Sequence, residues 1–486
     1  FAIQVMVAFT TFMLMFASVE LVHTMTGSSP GLQWPNFIKY LAIPASCAVS
    51  LFYLAAEGAG EGRMPQNLAA IAVGGALYAA STAIDTPPLI GISPSLIMTV
   101  AFFVTLFLGV PVGFALLLSA FLSTWGADIL PPAATVHTMA VGAGQFVLLA
   151  IPFFLTAGAL MNAGGLSRRL IDLAAAVVGH FRGGLAQVNI LHSTMLCGIC
   201  GSSGADAAST TKILVPEMVR RGYSPAFACA VTATGSILPN IMPVMMAAVH
   251  MIAVRRAYEP TRGFAGFAAV ATEAWRSALV LALAVVVVFS LRFGVITPTE
   301  IGVIAVVWVF VLGKFVYGAM TWREVYAELV QCAVDSAIIG FLIGVSATFA
   351  WVLIAEQVPQ KFVAAALALT DSRLGLLLLI NVVMLLLGTA LEPIPAMLIT
   401  IPLFLPLMTA AGVDPVHLGI IVVINLLMGS LTPPVGVLVF ITAALARVNA
   451  NAVFRECMPL LLACGVGLLA ITYWPALSLT LWNLLD

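Results

Sequence analysis

Charge is what this 486-residue chain has least of: Asp, Glu, Lys and Arg make up 8% of it. Soluble globular proteins carry about 25%, so that class is excluded. There is no basic run and the formal net charge is −1, so nothing marks a nucleic-acid surface. No Walker loop is present, so this chain does not itself hydrolyse ATP. No His, Cys and acid cluster has zinc spacing, and no catalytic constellation appears. Cysteine is sparse as well, with seven residues, most within apolar segments. Cys197-Gly-Ile-Cys200 has metal or redox spacing but lacks a second pair. The cysteines read as small buried packing residues.

What is present is apolar. Hydrophobic residues make up 62% of the chain, and its mean hydropathy is +1.13. This is the composition of an all-α polytopic membrane protein, with room for roughly fifteen segments of about 20 residues. The chain starts at Phe1 inside an apolar run, without a basic n-region. That is not a signal peptide; it reads as a truncated start.

Two islands of small and polar residues cut the apolar stretch Gly198–Val244: Gly201-Ser-Ser-Gly-Ala-Asp206 and Gly235-Ser-Ile-Leu-Pro-Asn-Ile-Met-Pro243. Gly and Pro break a helix there. Within a bilayer, broken backbone survives only where protein or a watery cavity satisfies it, and such breaks mark sites in secondary transporters. The stretch occurs twice. A shift of 190 places Gly198 on Gly388, Pro216 on Pro406, Gly222 on Gly412, Pro225 on Pro415 and Pro243 on Pro433. The segments 207–219 and 394–411 are short or proline-bearing, so each is expected to pair with the preceding segment as a re-entrant hairpin. The expected fold has inverted repeats, about 139–254 and 333–446, with two re-entrant hairpins and two broken transmembrane helices.

Lys and Arg gather in cytoplasmic loops. Arg168, Arg169 and Arg182 precede the first hairpin, and Arg220 and Arg221 follow it. If 225–254 then crosses outward, Arg255, Arg256 and Arg262 stand on the wrong side. An absent inward crossing near Val254–Arg255 restores consistency and gives the odd number of crossings that an inverted repeat needs. A break between these two residues is therefore expected.

The motifs Leu149-Ala-Ile-Pro-Phe-Phe-Leu-Thr-Ala-Gly158, Gly294-Val-Ile-Thr-Pro-Thr-Glu300, Val413-Asp-Pro-Val-His-Leu-Gly419 and Asn425-Leu-Leu-Met-Gly-Ser-Leu-Thr-Pro-Pro-Val-Gly436 resemble the membrane component of tripartite ATP-independent periplasmic (TRAP) transporters. The resemblance covers about 94–481. Residues 1–60 look like part of the family's small subunit, without its N-terminal helices; 61–92 form a connecting helix and linker, and 93–486 the large permease. The resemblance implies an elevator-type transporter in the bacterial inner membrane, coupled to Na+, taking an organic anion from a periplasmic substrate-binding protein. Two positions depart from the family: Ala159, near which an acid is common, and Pro239-Asn240, where paired prolines are common.

Carbonyl ends of broken helices suit cations and amide ends suit anions. One cation site is expected at Gly201, Ser202, Ser203, Gly235 and Pro239, and a second at Gly388, Thr389, Gly429, Thr432 and Pro433. Ser203, Asn240, Thr389 and Thr432 are candidate substrate donors, unless the hydroxyls simply bond back to helix carbonyls. Asp206 and Glu392 either ligate cations or cap hairpin arms. Asn425 bridges helices or orders the second cation site. Lys212 is expected to snorkel, Glu300 to start a helix, and His192, His250 and His417 to be structural. The rival readings are a stand-alone dicarboxylate/Na+ symporter and an intramembrane enzyme using Asp206 and Glu392.

Overall fold

The structure, a computed structural model, describes all residues except 26–36, 61–63, 84–92, 127–131, 145–149, 201–202, 238–240, 262, 264–265, 371, 391–392, 434–435 and 486. The described residues form helices and no strand: α1 (Ala2–Thr24), α2 (Phe37–Gly60), α3 (Met64–Ala83), α4 (Pro94–Phe107), α5 (Val112–Gly126), α6 (Pro132–Ala143), α7 (Ala150–Ala163), α8 (Leu166–Val178), α9 (Gly184–Cys200), α10 (Ser203–Arg220), α11 (Pro225–Gly235) and α12 (Met242–Arg255). They continue with α13 (Phe267–Arg276), α14 (Ala278–Arg292), α15 (Pro298–Val311), α16 (Trp322–Ala355), α17 (Val358–Leu369), α18 (Arg373–Ala390), α19 (Pro393–Ala410), α20 (Pro415–Gly429), α21 (Val437–Ala446), α22 (Ala450–Tyr473) and α23 (Ala476–Leu485). Among the described residues, four helices are long and apolar enough to cross a membrane, or six if the bent pairs α7–α8 (72°) and α13–α14 (69°) each count as one span. Most of the other apolar segments seen in the sequence are helices of 10–17 residues. Prolines and glycines cut them short.

The chain divides into two compact units. The first comprises Phe1–Gln145, Ile339–Ala368 and Leu398–Pro406. In it α1, α2 and α3 pack on one another. Gly74 lets α3 close on α1, since a Cβ there would stand 2.9 Å from the Ala8 Cβ. Asn67 donates to the Leu54 carbonyl at 2.8 Å, tying α3 to α2.

The second unit comprises Phe146–Ile338, Leu369–Met397 and Leu407–Asp486. Its core joins Phe227 and Cys229 of α11, Ile424 of α20, Val439 of α21 and Leu460 of α22. Two turns with matching chemistry lead into α11 and α20. Gly222 and Gly412 both adopt positive φ, +87° and +72°, which glycine reaches without a Cβ clash. Pro225 and Pro415 each stand at the first helical position, where the missing N–H costs nothing. Ser224 caps α11 by accepting from the Phe227 N–H, and Asp414 caps α20 by accepting from Val416 and His417. Glu300 starts α15 as expected, in a reciprocal capping box with Thr297.

The shift of 190 carries Ser203–Arg220 onto Pro393–Ala410 at both ends, and the start of α11 onto the start of α20. It fails beyond that point: α11 ends at Gly235, whereas α20 runs on to Gly429.

Helix α22 serves as a ruler for direction. Near its beginning, Glu456 pairs with Arg256 at 2.8 Å, and the Arg256 guanidinium lies 5.2 Å over the Phe227 ring. The first turn of α11 is therefore at this end. At the opposite end, the Thr472 carbonyl and Ser478 hydroxyl meet the His417 ring at 3.2 and 2.6 Å. The first turn of α20 is there. The two helices start from opposite ends of α22.

One expectation is overturned. The chain passes through Val254 and Arg255 within α12, and the Arg256 N–H donates to the Ile252 carbonyl, as in unbroken helix. No break stands there. Nor does 225–254 carry through as one crossing. Tyr258 stacks on Tyr223 with centroids 4.4 Å apart, and the Ser224 N–H donates to the Tyr258 hydroxyl at 3.4 Å. So α12 returns to the end where α11 begins. The reason is local. Helix α11 stops after 11 residues, and α12 starts afresh with Pro243 in its first turn, so nothing holds the two legs collinear. Arg255 and Arg256 reach the arginine-rich end because α12 is itself the returning leg. There the Arg221 guanidinium donates to the Thr261 carbonyl at 3.0 Å.

Candidate functional site

Helices α18 and α20 meet through bare backbone. Gly388 of α18 and Gly429 of α20 lie face to face: a Cβ on Gly429 would stand 2.3 Å from the Gly388 carbonyl carbon, and one on Gly388 would stand 2.8 Å from the Leu426 oxygen. Only glycine at both positions allows this approach. It brings two of the expected second-site residues together at the end of α20, where helix carbonyls run out of intrahelical partners. Thr389 donates to the Leu386 carbonyl at 2.7 Å and Thr432 to the Met428 carbonyl at 2.9 Å. Both protons are spent on backbone, so each hydroxyl offers lone pairs outward. That arrangement suits a cation better than an anion. Pro433 lies exposed in the turn after α20.

Asn425, one turn before Gly429, is fully buried. Its amide donates to the Asn381 Oδ1 at 2.6 Å and to the Ile421 carbonyl at 2.8 Å. Asn381 in turn donates to the Leu377 carbonyl at 2.9 Å and the Thr472 hydroxyl at 3.2 Å. Because the two carbonyls only accept, both amides are fixed in orientation. The Asn425 Oδ1 is left without a donor among the described residues. Asn381 and Thr472 were not foreseen, although a lone Asn inside the apolar run 374–391 is a readable signal.

In the first copy, Ser203 opens α10 and is half-buried. Asp206 is fully buried in the first turn of α10 and accepts from the Thr210 hydroxyl at 2.9 Å. Helix α10 packs against α9, α11 and α21, and a Cβ on Gly204 would lie 3.9 Å from the Ile441 side chain. The two copies thus touch within this unit. Gly235, the last residue of α11, faces Asn189 and Ser193 of α9. Lys212 is exposed. His192 and His417 are fully buried. Of the expected site residues, Gly201, Ser202, Pro239, Asn240 and Glu392 lie outside the described residues. Among the described residues, no group of three His, Cys, Asp or Glu side chains could hold a metal ion.

Comparison with known proteins decides the family. The model of the family described as tripartite ATP-independent periplasmic transporter, DctM component, matches residues 99–259 and 244–477. This chain belongs to that family. The isethionate TRAP transporter permease protein DctMQ of Oleidesulfovibrio alaskensis is 31% identical, across 95% of this chain and 77% of its own length. The C4-dicarboxylate TRAP transporter large permease protein DctM of Pseudomonas aeruginosa is 35% identical, across 70% of this chain and 87% of its own. The crystal structure of the YdaH transporter of Alcanivorax borkumensis covers 79% of this chain and 98% of its own at TM-score 0.50 and 14% identity, a likeness of fold alone. The chain is therefore a multi-pass TRAP permease and not an enzyme. The overlap of the two matched segments, 244–259, falls on α12 and its turn. The alignment with DctMQ runs over 493 positions while using 95% of this 486-residue chain. The relative therefore carries positions that this permease lacks.

Proposed function

We propose that this permease imports a small organic anion (a carboxylate, sugar acid or sulfonate) across the bacterial inner membrane, driven by inward Na+ movement. A periplasmic substrate-binding protein delivers the anion, and the transport unit moves as an elevator. The observation that carries the reading is the opposed start of α11 and α20 along α22, each preceded by the same Gly-to-Pro turn and the same pair of helices at a spacing of 190. This supports two copies of opposite direction, each a pair of helices followed by a Gly-to-Pro turn and a broken segment, which folds back in the first copy and runs on in the second. Gly388 against Gly429, with the outward lone pairs of Thr389 and Thr432, supports a cation site in the second copy. Relatives named for isethionate and C4-dicarboxylate support an anion as cargo.

The test is uptake of radiolabelled organic acids into proteoliposomes holding the permease. Uptake is expected only with the cognate binding protein outside and an inward Na+ gradient. Equal uptake with K+ in place of Na+ would remove the coupling; uptake without the binding protein would favour a stand-alone symporter.

A further inference from the structure

Three turns of the second unit meet at its arginine-rich end and leave a polar cavity between them. The turn after α12 is pinned on both sides. The Thr261 N–H donates to the Gly179 carbonyl at 2.9 Å and the Gly183 N–H to the Tyr258 carbonyl at 3.3 Å, which ties it to the turn before α9. The Arg221 Nη1 donates to the Thr261 carbonyl at 3.0 Å, which ties it to the turn before α11. Between them lies a cavity of about 400 Å³ lined by Arg221, Tyr223, Glu259, Pro260 and Thr261. Its wall holds unspent donors beside a carboxylate. Tyr223 is 4% exposed and its ring stacks on Tyr258, yet its hydroxyl has no partner among the described residues. The ring alone serves the stack; the hydroxyl is left over. The N–H groups of Leu185 and Ala186 stand near its oxygen and could only donate to it, so the hydroxyl proton stays available. The Thr261 hydroxyl is likewise buried and unpartnered among the described residues. The Arg221 Nε donates to Glu217 at 3.0 Å. A guanidinium carries five N–H donors, so these bonds hold it in place without exhausting it. Glu259, exposed on the same cavity, makes no ion pair among the described residues.

We propose that this cavity binds a phosphoethanolamine group, with its phosphate on Arg221 and the Tyr223 and Thr261 hydroxyls and its ammonium on Glu259. A cation and two hydroxyl donors on one wall match an oxyanion with several acceptor oxygens. A bare anion would sit beside Glu259, whose charge opposes it; a zwitterion satisfies both signs at once. Buried hydroxyls without partners cost free energy unless something binds them. The volume falls within the range of small-molecule sites, about 300–1,000 Å³. The group has two sources, the headgroup of a membrane lipid and free phosphoethanolamine. Arg220, Arg221, Arg255 and Arg256 gather at this end, as basic residues do at the level of lipid headgroups, which favours the lipid. Nothing in this site depends on which ion drives transport.

The experiment is thermal unfolding of the purified full-length permease in detergent. It is titrated with phosphatidylethanolamine, phosphatidylcholine or phosphatidylglycerol in mixed micelles, and with water-soluble glycerophosphoethanolamine. Wild type is expected to gain Tm saturably with phosphatidylethanolamine, at a lower midpoint than with phosphatidylcholine, whose ammonium carries no N–H. Tyr223→Phe keeps the stack and removes only the unpartnered hydroxyl. Its Tm without lipid is expected to hold, while its phosphatidylethanolamine midpoint rises about tenfold, the loss of one hydrogen bond to a charged group. Glu259→Gln, on the surface, is expected to fold and to lose the preference for phosphatidylethanolamine over phosphatidylcholine. If Tyr223→Phe fails to fold, Glu259→Gln decides. The same variant dependence with the soluble compound assigns the site to the free group; a response to the lipid alone assigns it to the headgroup. If the two ethanolamine and choline lipids share one midpoint in wild type, or both variants keep the wild-type midpoint, the cavity holds only water and the phosphoethanolamine site is refuted. If phosphatidylglycerol stabilises wild type most and Glu259→Gln tightens it further, the ligand is a bare anion and the zwitterion is refuted.

Discussion

Tyr258 stacks on Tyr223 at 4.4 Å between ring centroids and 26° between planes, although 35 positions separate them in the chain. The contact joins the start of α11 to the turn after α12. It makes the two helices a fold-back pair, with Arg256 held between the Phe227 ring and Glu456. In the second copy, α20 starts at the far end of α22 and α21 leads to its near end. The first copy turns round at its break; the second passes through.

Ser224→Cys and Glu259→Cys flank the stacked pair. A short bismaleimide is expected to join them in the membrane-embedded permease, seen as a linked fragment after cleavage between the sites. No linkage under conditions that label each single variant would contradict the returning α12.

Gly429→Ala is expected to destabilise the permease by about 1–3 kcal/mol through overpacking, because its Cβ would enter the Gly388 backbone. Transport would fall with it. Gly419→Ala on the same helix meets nothing within 4 Å and is expected to be neutral or to stabilise by about 0.5–1 kcal/mol. Thermal unfolding of the pair checks both; equal losses would mean that α18 and α20 are not in backbone contact.

Asn381→Ala is expected to cost about 1–3 kcal/mol by leaving buried amides short of acceptors. Its effect and that of Asn425→Ala are expected to be non-additive by about 0.5–3 kcal/mol. A double-mutant cycle of unfolding measures this, and simple additivity would show the two amides to be independent.

Ser224→Ala and Asp414→Ala each remove the N-cap of an interrupted helix. Each is expected to lose about 1 kcal/mol, read as lower Tm with Na+ dependence retained. A loss at only one of the two would mean that the turns do not play equivalent parts.

Local chemistry was readable from the sequence. The Gly-to-Pro turns and the Thr297–Glu300 capping box follow from residues within a few positions of one another, and the spacing of 190 recurs in the bounds of α10 and α19. The course of α12 was not readable, because aromatic contacts across more than thirty residues set it. The arginines grouped Arg255 and Arg256 with Arg220 and Arg221 at one end but did not give the means of reaching it: a returning helix and a missing crossing satisfy the same count of charges. Among the polar residues inside apolar helices, Asn425 stood out by its place one turn before a break. Its pairing with Asn381 becomes a signal only when the hydrogen bonds are traced and an oxygen is left over. The box at Thr321–Glu324, with its bond of 2.7 Å from the Thr321 N–H to the Glu324 carboxylate, has the same sequence spacing as the one at Thr297.

The central claim is that two copies of one hairpin-and-break unit enter from opposite faces. Arg220 ends α10 and Ala410 ends α19, at positions 190 apart. Labelling of Arg220→Cys and Ala410→Cys by a membrane-impermeant maleimide, in vesicles of each orientation, reads this most directly. Arg220→Cys is predicted to react only from the cytoplasmic face and Ala410→Cys only from the periplasmic face. Reaction of both from the same face would contradict the account.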